Sequence, residues 1–249
     1  MATHTEDYVL GKGKMYFDGR YLGNCPAFNV SVDSETLEHS SSTSGISEVD
    51  ASVTISIART ATIECDNISK DNLALFISGA LSTFAQTGAA VTAEAHTVVT
   101  DRYYQMGEAV TTNSIGYQGL SAVSVQDVTD TTTYVLDTDY EVDLVLGRVY
   151  IIPGGAISDG DEIHVSYTYA TNGRNVVATG SATGTTGKLE FIADNPKGTN
   201  RDLVAAQVEL KPSGDFGFVG DDWLKMSFEV NFQTRDTVTP QVVIMDRAV

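Results

Sequence analysis

The sequence predicts a mostly β protein with one flanking α-helix and a second, smaller β module inserted into the chain. Thr, Val, Ile and Tyr are abundant, and several long segments alternate apolar with polar residues, as half-buried strands do. One segment has the apolar spacing and the capping residue of a helix. Short, closely spaced strand patterns between residues 96 and 171 differ from the long patterns on either side, which predicts a small β-sandwich there.

Length and charge limit the function classes. The 249 residues are 42% hydrophobic with 22 Gly and 5 Pro, which is enough for a well-buried core in one large or two ordinary domains. Acids outnumber bases by 33 to 15, a net charge of −18, and such a surface repels nucleic acid and anionic membranes. The polar start Met1–Asp7 and the lack of a long apolar run predict a soluble protein without a signal peptide, made in the cytoplasm.

The first elements are predicted from turn chemistry. Asp18-Gly19 separates Lys12–Phe17 from Arg20–Val32, which predicts a hairpin. Ser34–Asp50 is small, polar and rich in Ser, which predicts a long exposed loop.

A very long strand pattern follows this predicted loop. If Val49–Cys65 is one continuous strand, it is about 55 Å long. Arg59 interrupts its apolar face, so two shorter strands with a bend or bulge there are an equal alternative. The alternation predicts one apolar face made of Val53, Ile55, Ile57, Ala61, Ile63 and Cys65.

The helix is predicted after this strand, with Ser69 as its N-cap and Asp71 in its first turn. Its apolar stripe comprises Leu73, Leu75, Phe76, Ile77 and Leu81. Ser82–Thr97 is rich in Ala, Thr and Gly, which is typical of a linker.

The remaining patterns predict a discontinuous domain with an insertion. Short strands are expected at Ser121–Val128, Thr133–Val135, Val142–Leu146, Arg148–Ile152 and Glu162–Tyr169. Longer strands return at Arg174–Ser181, Lys188–Ala193, Asp202–Leu210 and Leu224–Gln233. We therefore expect residues 1–95 and 172–249 to form one β domain, with 96–171 inserted into an exposed loop.

No catalytic set is visible, so we predict no catalytic residue, no metal and no cofactor. The four histidines are scattered without metal-ligand spacing, and no Gly-x-Ser-x-Gly sequence occurs. Cys25 and Cys65 are expected to be buried thiols, with a disulfide between them as the alternative. Four carboxylates, at Asp137, Asp139, Glu141 and Asp143, are expected on one solvated strand face, since a calcium loop would need Gly where Val142 stands.

Several stretches resemble the major tail tube proteins of long-tailed, non-contractile bacteriophages. They are Gly11-Lys-Gly-Lys-Met-Tyr-Phe17, Tyr21-Leu-Gly-Asn-Cys-Pro26, Ser34-Glu-Thr-Leu-Glu-His39 and Asp71-Asn-Leu-Ala-Leu-Phe-Ile-Ser-Gly79. The segments from Asp139 to Ile152 and from Asp159 to Tyr169 resemble an Ig-like insert found in some of these proteins. The resemblance implies a β-sandwich or barrel whose hexameric rings stack into a hollow tube for DNA.

The resemblance also implies roles for particular residues. A loop reaching the next ring would include Glu38, His39, Ser42, Gly45, Glu48 and Asp50, and the arms Met1–Tyr8 and Asp236–Val249 would contact neighbouring subunits. Candidates for a polar, non-sticking lumen are Thr54, Ser56, Thr62, Glu64, Gln207, Glu209, Glu229 and Asn231. The implied partners are the tape measure, terminator and tail tip proteins. The implied location is the virion, after assembly in the host cytoplasm.

Three other interpretations stay open. Tyr103, Tyr104 and Tyr117 could form the stacking platform of a carbohydrate-binding or adhesive β-sandwich. A capsid decoration protein, or a hydrolase whose site is too diffuse to recognise, would also fit the composition.

Overall fold

A computed structural model describes residues 7–41, 45–108, 115–180 and 185–247. The predicted loop residue Ser42 and most of the N-terminal arm lie outside these described residues. So do residues 248 and 249 of the C-terminal arm.

Sixteen strands and one short helix are found in the described residues. In chain order they are β1 (Gly13–Phe17), β2 (Arg20–Tyr21), β3 (Ala27–Ser41), β4 (Glu48–Cys65), α1 (Lys70–Phe76), β5 (Gly79–Gln86), β6 (Ala89–Thr97), β7 (Tyr103–Gln105), β8 (Leu120–Asp127), β9 (Tyr140–Asp143), β10 (Arg148–Ile151), β11 (Glu162–Tyr169), β12 (Asn172–Thr179), β13 (Thr185–Ala193), β14 (Arg201–Ser213), β15 (Met226–Phe232) and β16 (Val243–Asp246). The predicted mostly β fold with one flanking helix is confirmed. No helix in the described part of the chain is long and apolar enough to cross a membrane.

The chain divides into two compact units. Unit 1 comprises residues 1–82 and 177–249, and unit 2 comprises residues 83–176. The division therefore falls at 82/83 and 176/177, whereas the sequence places it at 95/96 and 171/172. The predicted linker Ser82–Thr97 is wrong, because most of it forms β5 and β6.

Unit 1 is organised by one eight-stranded sheet. Its order is β2-β1-β13-β14-β15-β4-β3, with β16 also paired to β14. The predicted turn at Asp18-Gly19 joins β1 to β2, and both residues have positive φ (48° and 76°), as a tight hairpin turn requires. The second arm of that hairpin is only β2, so the predicted strand Arg20–Val32 is wrong in its middle.

The sheet curls so that strands far apart in its order meet. The ring of Phe28 on the edge strand β3 lies 5.7 Å from the ring of Phe191 on β13, the third strand from the other edge. The inner face of the curl supplies the core, which includes Met15, Phe17, Ala61, Ile63, Cys65, Leu189, Val208, Leu210, Phe228 and Val230. A cleft remains where the start of β1 approaches the start of β3.

Helix α1 is anchored to this core through a buried polar residue. The Ser69 hydroxyl accepts a hydrogen bond from the Asn72 amide N at 3.2 Å, so the predicted N-cap is confirmed. The fully buried Asn72 donates from Nδ2 to the carbonyls of Leu22 (2.7 Å) and Asn67 (2.9 Å). Its Oδ1 accepts from Arg20 Nη1 at 2.7 Å. These bonds tie α1 to the β2–β3 connection.

The helix is shorter than its apolar stripe predicted. It ends at Phe76, whose ring packs edge-on at 6.0 Å from Phe228. Ser78 has a φ of 49°, which a continuing right-handed helix cannot contain. Leu81 therefore lies on β5 instead of the helix.

Unit 2 is a small sandwich of two three-stranded sheets, β7-β10-β9 and β6-β11-β8. Both sheets contribute to one core, which includes Val125, Tyr140, Val149, Ile151, Ile163, Val165 and Tyr167. The predicted strand at Thr133–Val135 is wrong, since only an isolated bridge joins Thr133 to Gln126. β5 and β12 form a separate two-stranded ribbon, and the division between the units crosses both strands.

Candidate assembly surface

The β3–β4 hairpin extends well beyond the sheet to which it belongs. β15 pairs with β4 only between Thr60 and Cys65. The rest of β4 pairs with β3 alone within the described part of the chain. From Glu48 to Arg59 the protein is thus a two-stranded ribbon about 40 Å long.

The predicted loop Ser34–Asp50 is therefore wrong at both of its ends, which are strands. Ser34 to Ser41 lie on β3, and Glu48 to Asp50 lie on β4. Of the predicted inter-ring residues, Glu38, His39 and Glu48 pair with residues of the opposite strand of this hairpin. Asp50 has no backbone partner in this ladder, and Gly45 is exposed between the strands. His39 Nδ1 lies 2.5 Å from Asp50 Oδ1. The described strand parts of the segment, 34–41 and 48–50, pair with a defined register.

Every residue of this ribbon is exposed from Val32 to Ser40 and from Glu48 to Ala58. A two-stranded hairpin without a third layer is marginally stable in water. Its exposed aliphatic side chains are each at least 50% accessible and comprise Val32, Leu37, Val49, Val53, Ile55 and Ile57. Contiguous exposed apolar patches are typical of surfaces that contact other molecules.

Two bulges distribute these apolar side chains over both faces of the ribbon. The register passes from Glu35–Ser56 to Thr36–Thr54, which leaves Ile55 as an extra residue. Asp50 is likewise skipped between the pairs His39–Ala51 and Ser40–Val49. Of the two alternatives for Val49–Cys65, the single strand is confirmed. The bend or bulge at Arg59 is wrong, because Arg59 pairs regularly with Val32.

The bulge at Ile55 corrects the predicted faces. Directly paired residues share a face, and the faces alternate along each strand. The pair Leu37–Val53 therefore lies on the face opposite to Ile57, instead of on one common apolar face. Thr54 for the same reason does not share a face with Ser56 and Thr62.

The ribbon is also uniformly acidic. Residues 31–58 contain five acids and no Lys or Arg, whereas the rest of unit 1 contains 16 acids and 12 Lys or Arg. Arg59, at the end of the ribbon nearest the sheet, donates from Nη1 to Gln241 Oε1 at 2.9 Å. The ribbon and the body of unit 1 thus differ in charge.

The predicted lumen residues lie mainly on the outer face of the sheet. Gln207, Glu209, Glu229, Asn231, Thr62 and Glu64 alternate with core residues and point away from them. Pairing aligns Glu209 with Asn231 and Glu229 with Thr62. Glu209 Oε2 lies 3.1 Å from Lys211 Nζ, so this face is polar but not purely acidic. Ser56 lies farther out, on the ribbon.

The structure adds an apolar loop that the sequence patterns did not single out. Phe218, Val219 and Trp223 follow β14 and are 75%, 96% and 86% exposed. The only signal for them is that the single Trp stands in a Gly- and Asp-rich segment. β16 was also missed, because Val243–Asp246 lies inside a segment expected to be a terminal arm.

In unit 2 the four alternating carboxylates do not share one solvated face. Asp139 is only 5% exposed, and its carboxylate accepts hydrogen bonds from the backbone N–H groups of Val135 and Ala156, both at 2.8 Å. These bonds hold the pKa of Asp139 below its usual range. Asp137 has a φ of 61° in the turn before β9. No group of three His, Cys, Asp or Glu side chains suited to a metal occurs within the described ranges.

An aromatic pair marks the outer face of the β7-β10-β9 sheet. Tyr103 and Tyr150 are paired across β7 and β10, with ring centroids 4.9 Å apart. The guanidinium of Arg148 lies 4.7 Å from the Tyr103 ring centroid, and the Tyr150 hydroxyl donates to Asp101 Oδ1 at 2.5 Å. The alternative platform of Tyr103, Tyr104 and Tyr117 does not form, since Tyr104 and Tyr117 pack against the core.

Comparison with known families gives one match. A family model described as "Protein of unknown function UCP028589" matches residues 8–241. The curated proteins include no match to the chain.

Proposed function

The chain belongs to this family, and we propose that it is a non-enzymatic structural subunit that assembles with copies of itself. The β3–β4 ribbon carries the proposal, because six exposed aliphatic side chains lie on two strands that no other described residue covers as a third layer. Burying such half-exposed side chains is worth roughly 1 kcal/mol each. A second copy would supply the missing layer.

The charge distribution favours a head-to-tail contact over a symmetric one. Two ribbons packed together would bring five acids against five acids, with no Lys or Arg on residues 31–58 to offset them. The body of unit 1 carries 12 Lys or Arg and is the more favourable partner for an acidic ribbon. Contacts between two different surfaces of the same chain build rings or filaments.

The specific assembly that we propose is the tail tube of a long-tailed bacteriophage. Hexameric rings would stack through the ribbon, and the curled sheets would together enclose a channel for DNA. The sequence resemblance and the long open edge of β3 support this, because pairing between subunits removes exposed strand edges. The outer polar face of β14, β15 and β4 is then the candidate channel wall. Tape measure, terminator and tail tip proteins would be its partners in the virion.

Sedimentation velocity and negative-stain microscopy of the purified chain over a range of concentrations test this proposal. Stacked rings or tubes that grow with concentration are the expected result. A monodisperse monomer at high protein concentration, with the ribbon intact, would overturn it.

A second candidate function rests on Tyr103 and Tyr150. Two adjacent tyrosine rings on an accessible sheet face, bordered by Arg148 and Asp101, suit stacking against the C–H faces of a neutral sugar. Unit 2 would then bind surface glycans. Binding to a panel of neutral oligosaccharides that is lost in Tyr103→Ala/Tyr150→Ala, but kept in the exposed-tyrosine control Tyr21→Ala, would support it. No binding by the native chain would remove it.

A further inference from the structure

The two cysteines of the chain meet at the base of the ribbon. Cys65 is the last residue of β4 and is completely buried, and Cys25 lies in the segment that enters β3. Their Sγ atoms are 2.6 Å apart, and both thiols are free in this structure. The two strands of the ribbon lie between these cysteines in the sequence.

Backbone pairing imposes this proximity. Ala27 pairs with Glu64, and the Asp66 N–H donates to the Asn24 carbonyl at 3.1 Å. Hydrogen-bonded backbone therefore brackets both cysteines on either side. Side-chain rotation alone cannot separate them by much, because Cys65 is packed in the core of unit 1.

One of the two thiols is accessible from outside. Cys25 is partly exposed and lines the cleft between the starts of β1 and β3, which has a volume of about 550 Å³. A hydrogen bond from the Cys65 thiol lowers the pKa of Cys25, against the effect of burial. The same hydrogen bond, together with burial, raises the pKa of Cys65. The accessible cysteine is thus also the better nucleophile.

We propose that Cys25 and Cys65 are a redox clasp, which a small-molecule disulfide such as oxidised glutathione closes into an intramolecular disulfide. The Cys25 thiolate attacks one sulfur of the oxidant and releases one glutathione thiolate, forming a mixed disulfide. Cys65 then gives its proton to the released glutathione thiolate and attacks the Cys25 sulfur, which releases the second glutathione. The protein loses two electrons and two protons, and the oxidant is reduced to two thiols.

The Cys25–Cys65 disulfide would covalently link the two strands of the ribbon at its base. The new bond encloses a loop of about 40 residues, which restricts the unfolded chain and stabilises unit 1. The consequence for assembly rests on the proposed function: a ribbon with a fixed base would keep its docking direction after release from a reducing cytoplasm. Formation of the disulfide itself does not depend on assembly.

Incubating the full chain with oxidised glutathione, and separately with dithiothreitol, tests the clasp. The expected result is the loss of both free thiols, a mass decrease of about 2 Da and a linked Cys25–Cys65 peptide. We expect the melting temperature of unit 1 to rise by about 10 °C. In Cys25→Ser the reduced protein should melt close to the reduced native chain and show no oxidant-dependent rise.

Three outcomes would overturn the proposal. They are two free thiols after oxidation, a stable glutathione adduct on Cys25 alone, and a disulfide between chains. Free thiols are counted at low protein concentration, because the test of the disulfide does not depend on assembly. This separates the proposed clasp from the proposed function. A chain that closes the clasp but never assembles refutes the proposed function only, and one that assembles with both thiols free refutes the clasp only.

Discussion

Glu94 is a buried carboxylate on β6 with three converging donors. It is 9% exposed, and its oxygens accept from the Gly107 N–H at 2.9 and 3.1 Å and from the Tyr167 hydroxyl. His96 Nε2 lies 3.0 Å from Oε1. Burial alone would raise the pKa of Glu94, but the bonds from His96, Tyr167 and Gly107 outweigh it and lower the pKa. The ionised form therefore stabilises unit 2.

The pH dependence of the stability of unit 2 follows from the lowered pKa of Glu94. A carboxyl whose pKa is depressed by folding contributes stability that is present above its unfolded pKa of about 4.5. That stability is lost as the pH falls through the lower folded pKa. We expect Glu94→Gln to lower the stability of unit 2 by about 2 kcal/mol at pH 7, since an amide offers one acceptor to three donors.

Calorimetric melting between about pH 3 and pH 7 measures both effects. In Glu94→Gln the acid-dependent loss should shrink relative to the native chain. The control Glu162→Gln, which changes an exposed glutamate on β11, should melt like the native chain throughout. Equal acid sensitivity of the native chain and Glu94→Gln would contradict the assignment.

Residue-level prediction from sequence succeeded where the cause is local. The Asp18-Gly19 turn and the Ser69 cap depend on neighbours within three positions, and both are confirmed. Asn72 and Glu94 were missed because their burial depends on remote partners. Asn72 bonds to the Leu22 carbonyl 50 positions away, and Glu94 is bonded by Tyr167 73 positions away. No sequence pattern shows that a polar residue has such partners.

At the scale of elements, substitutions on the exposed ribbon test whether it is the assembly surface. Leu37 and Val53 are directly paired, 62% and 59% exposed, and lie on the face opposite to Ile57. We expect Leu37→Ser/Val53→Ser to abolish assembly while the melting temperature stays within a few degrees, because substitutions of exposed side chains change stability little. Sedimentation velocity at the concentration where the native chain assembles measures the loss.

A matched change elsewhere separates this effect from general solubility. Val128→Ser/Val145→Ser removes two valines of unit 2 that are 50% and 77% exposed. This variant should assemble like the native chain. If both double variants assemble equally well, the ribbon is not the contact surface.

The polar face of the sheet leads to a second prediction about assembled tubes. Lysine at Glu64, Glu209 and Glu229 would place three cations per subunit on the candidate channel wall, where phosphates could release counterions. We expect tubes to form but genome release from particles to slow by roughly twofold or more. Fluorescent-dye detection of released DNA measures the rate.

The control for this series changes the same charge away from the sheet. Lysine at Asp215, Asp221 and Glu108, all exposed, alters the net charge equally. Unchanged release kinetics in the sheet series, or equal slowing in both series, would remove the electrostatic role of the face.

The prediction of elements failed where strands exposed on both faces have the amino-acid composition of loops. Ser34–Asp50 has the Ser- and Glu-rich composition of a loop because both faces of this ribbon lie outside the core of the isolated chain. Alternation signals a strand only where one face is buried. The bulge at Ile55 also shifts the period by one residue, so an alternation counted along the sequence assigns Val53 and Thr54 to the wrong faces.

At the scale of the whole molecule, the two units have separate cores. Every residue of the first core lies in residues 1–82 or 177–249, and every residue of the second lies in residues 83–176. The return of long strands after residue 172 predicted that both ends of the chain share a unit. The start of the other unit was predicted wrongly, because the Ala- and Thr-rich composition of β5 and β6 is typical of a linker.

Separate cores predict that unit 2 can be removed. We expect replacement of residues 83–176 by a short Gly/Ser linker to leave unit 1 folded, with a melting temperature within about 5 °C of its transition in the full chain. The ribbon and the sheet face stay intact in this variant, so tubes should still form under negative stain. Residues 83–176 expressed alone should melt cooperatively and stay monomeric, because the ribbon is absent. An unfolded remainder would show that unit 1 needs the inserted unit, and a folded remainder without tubes would move the assembly surface from the ribbon to unit 2.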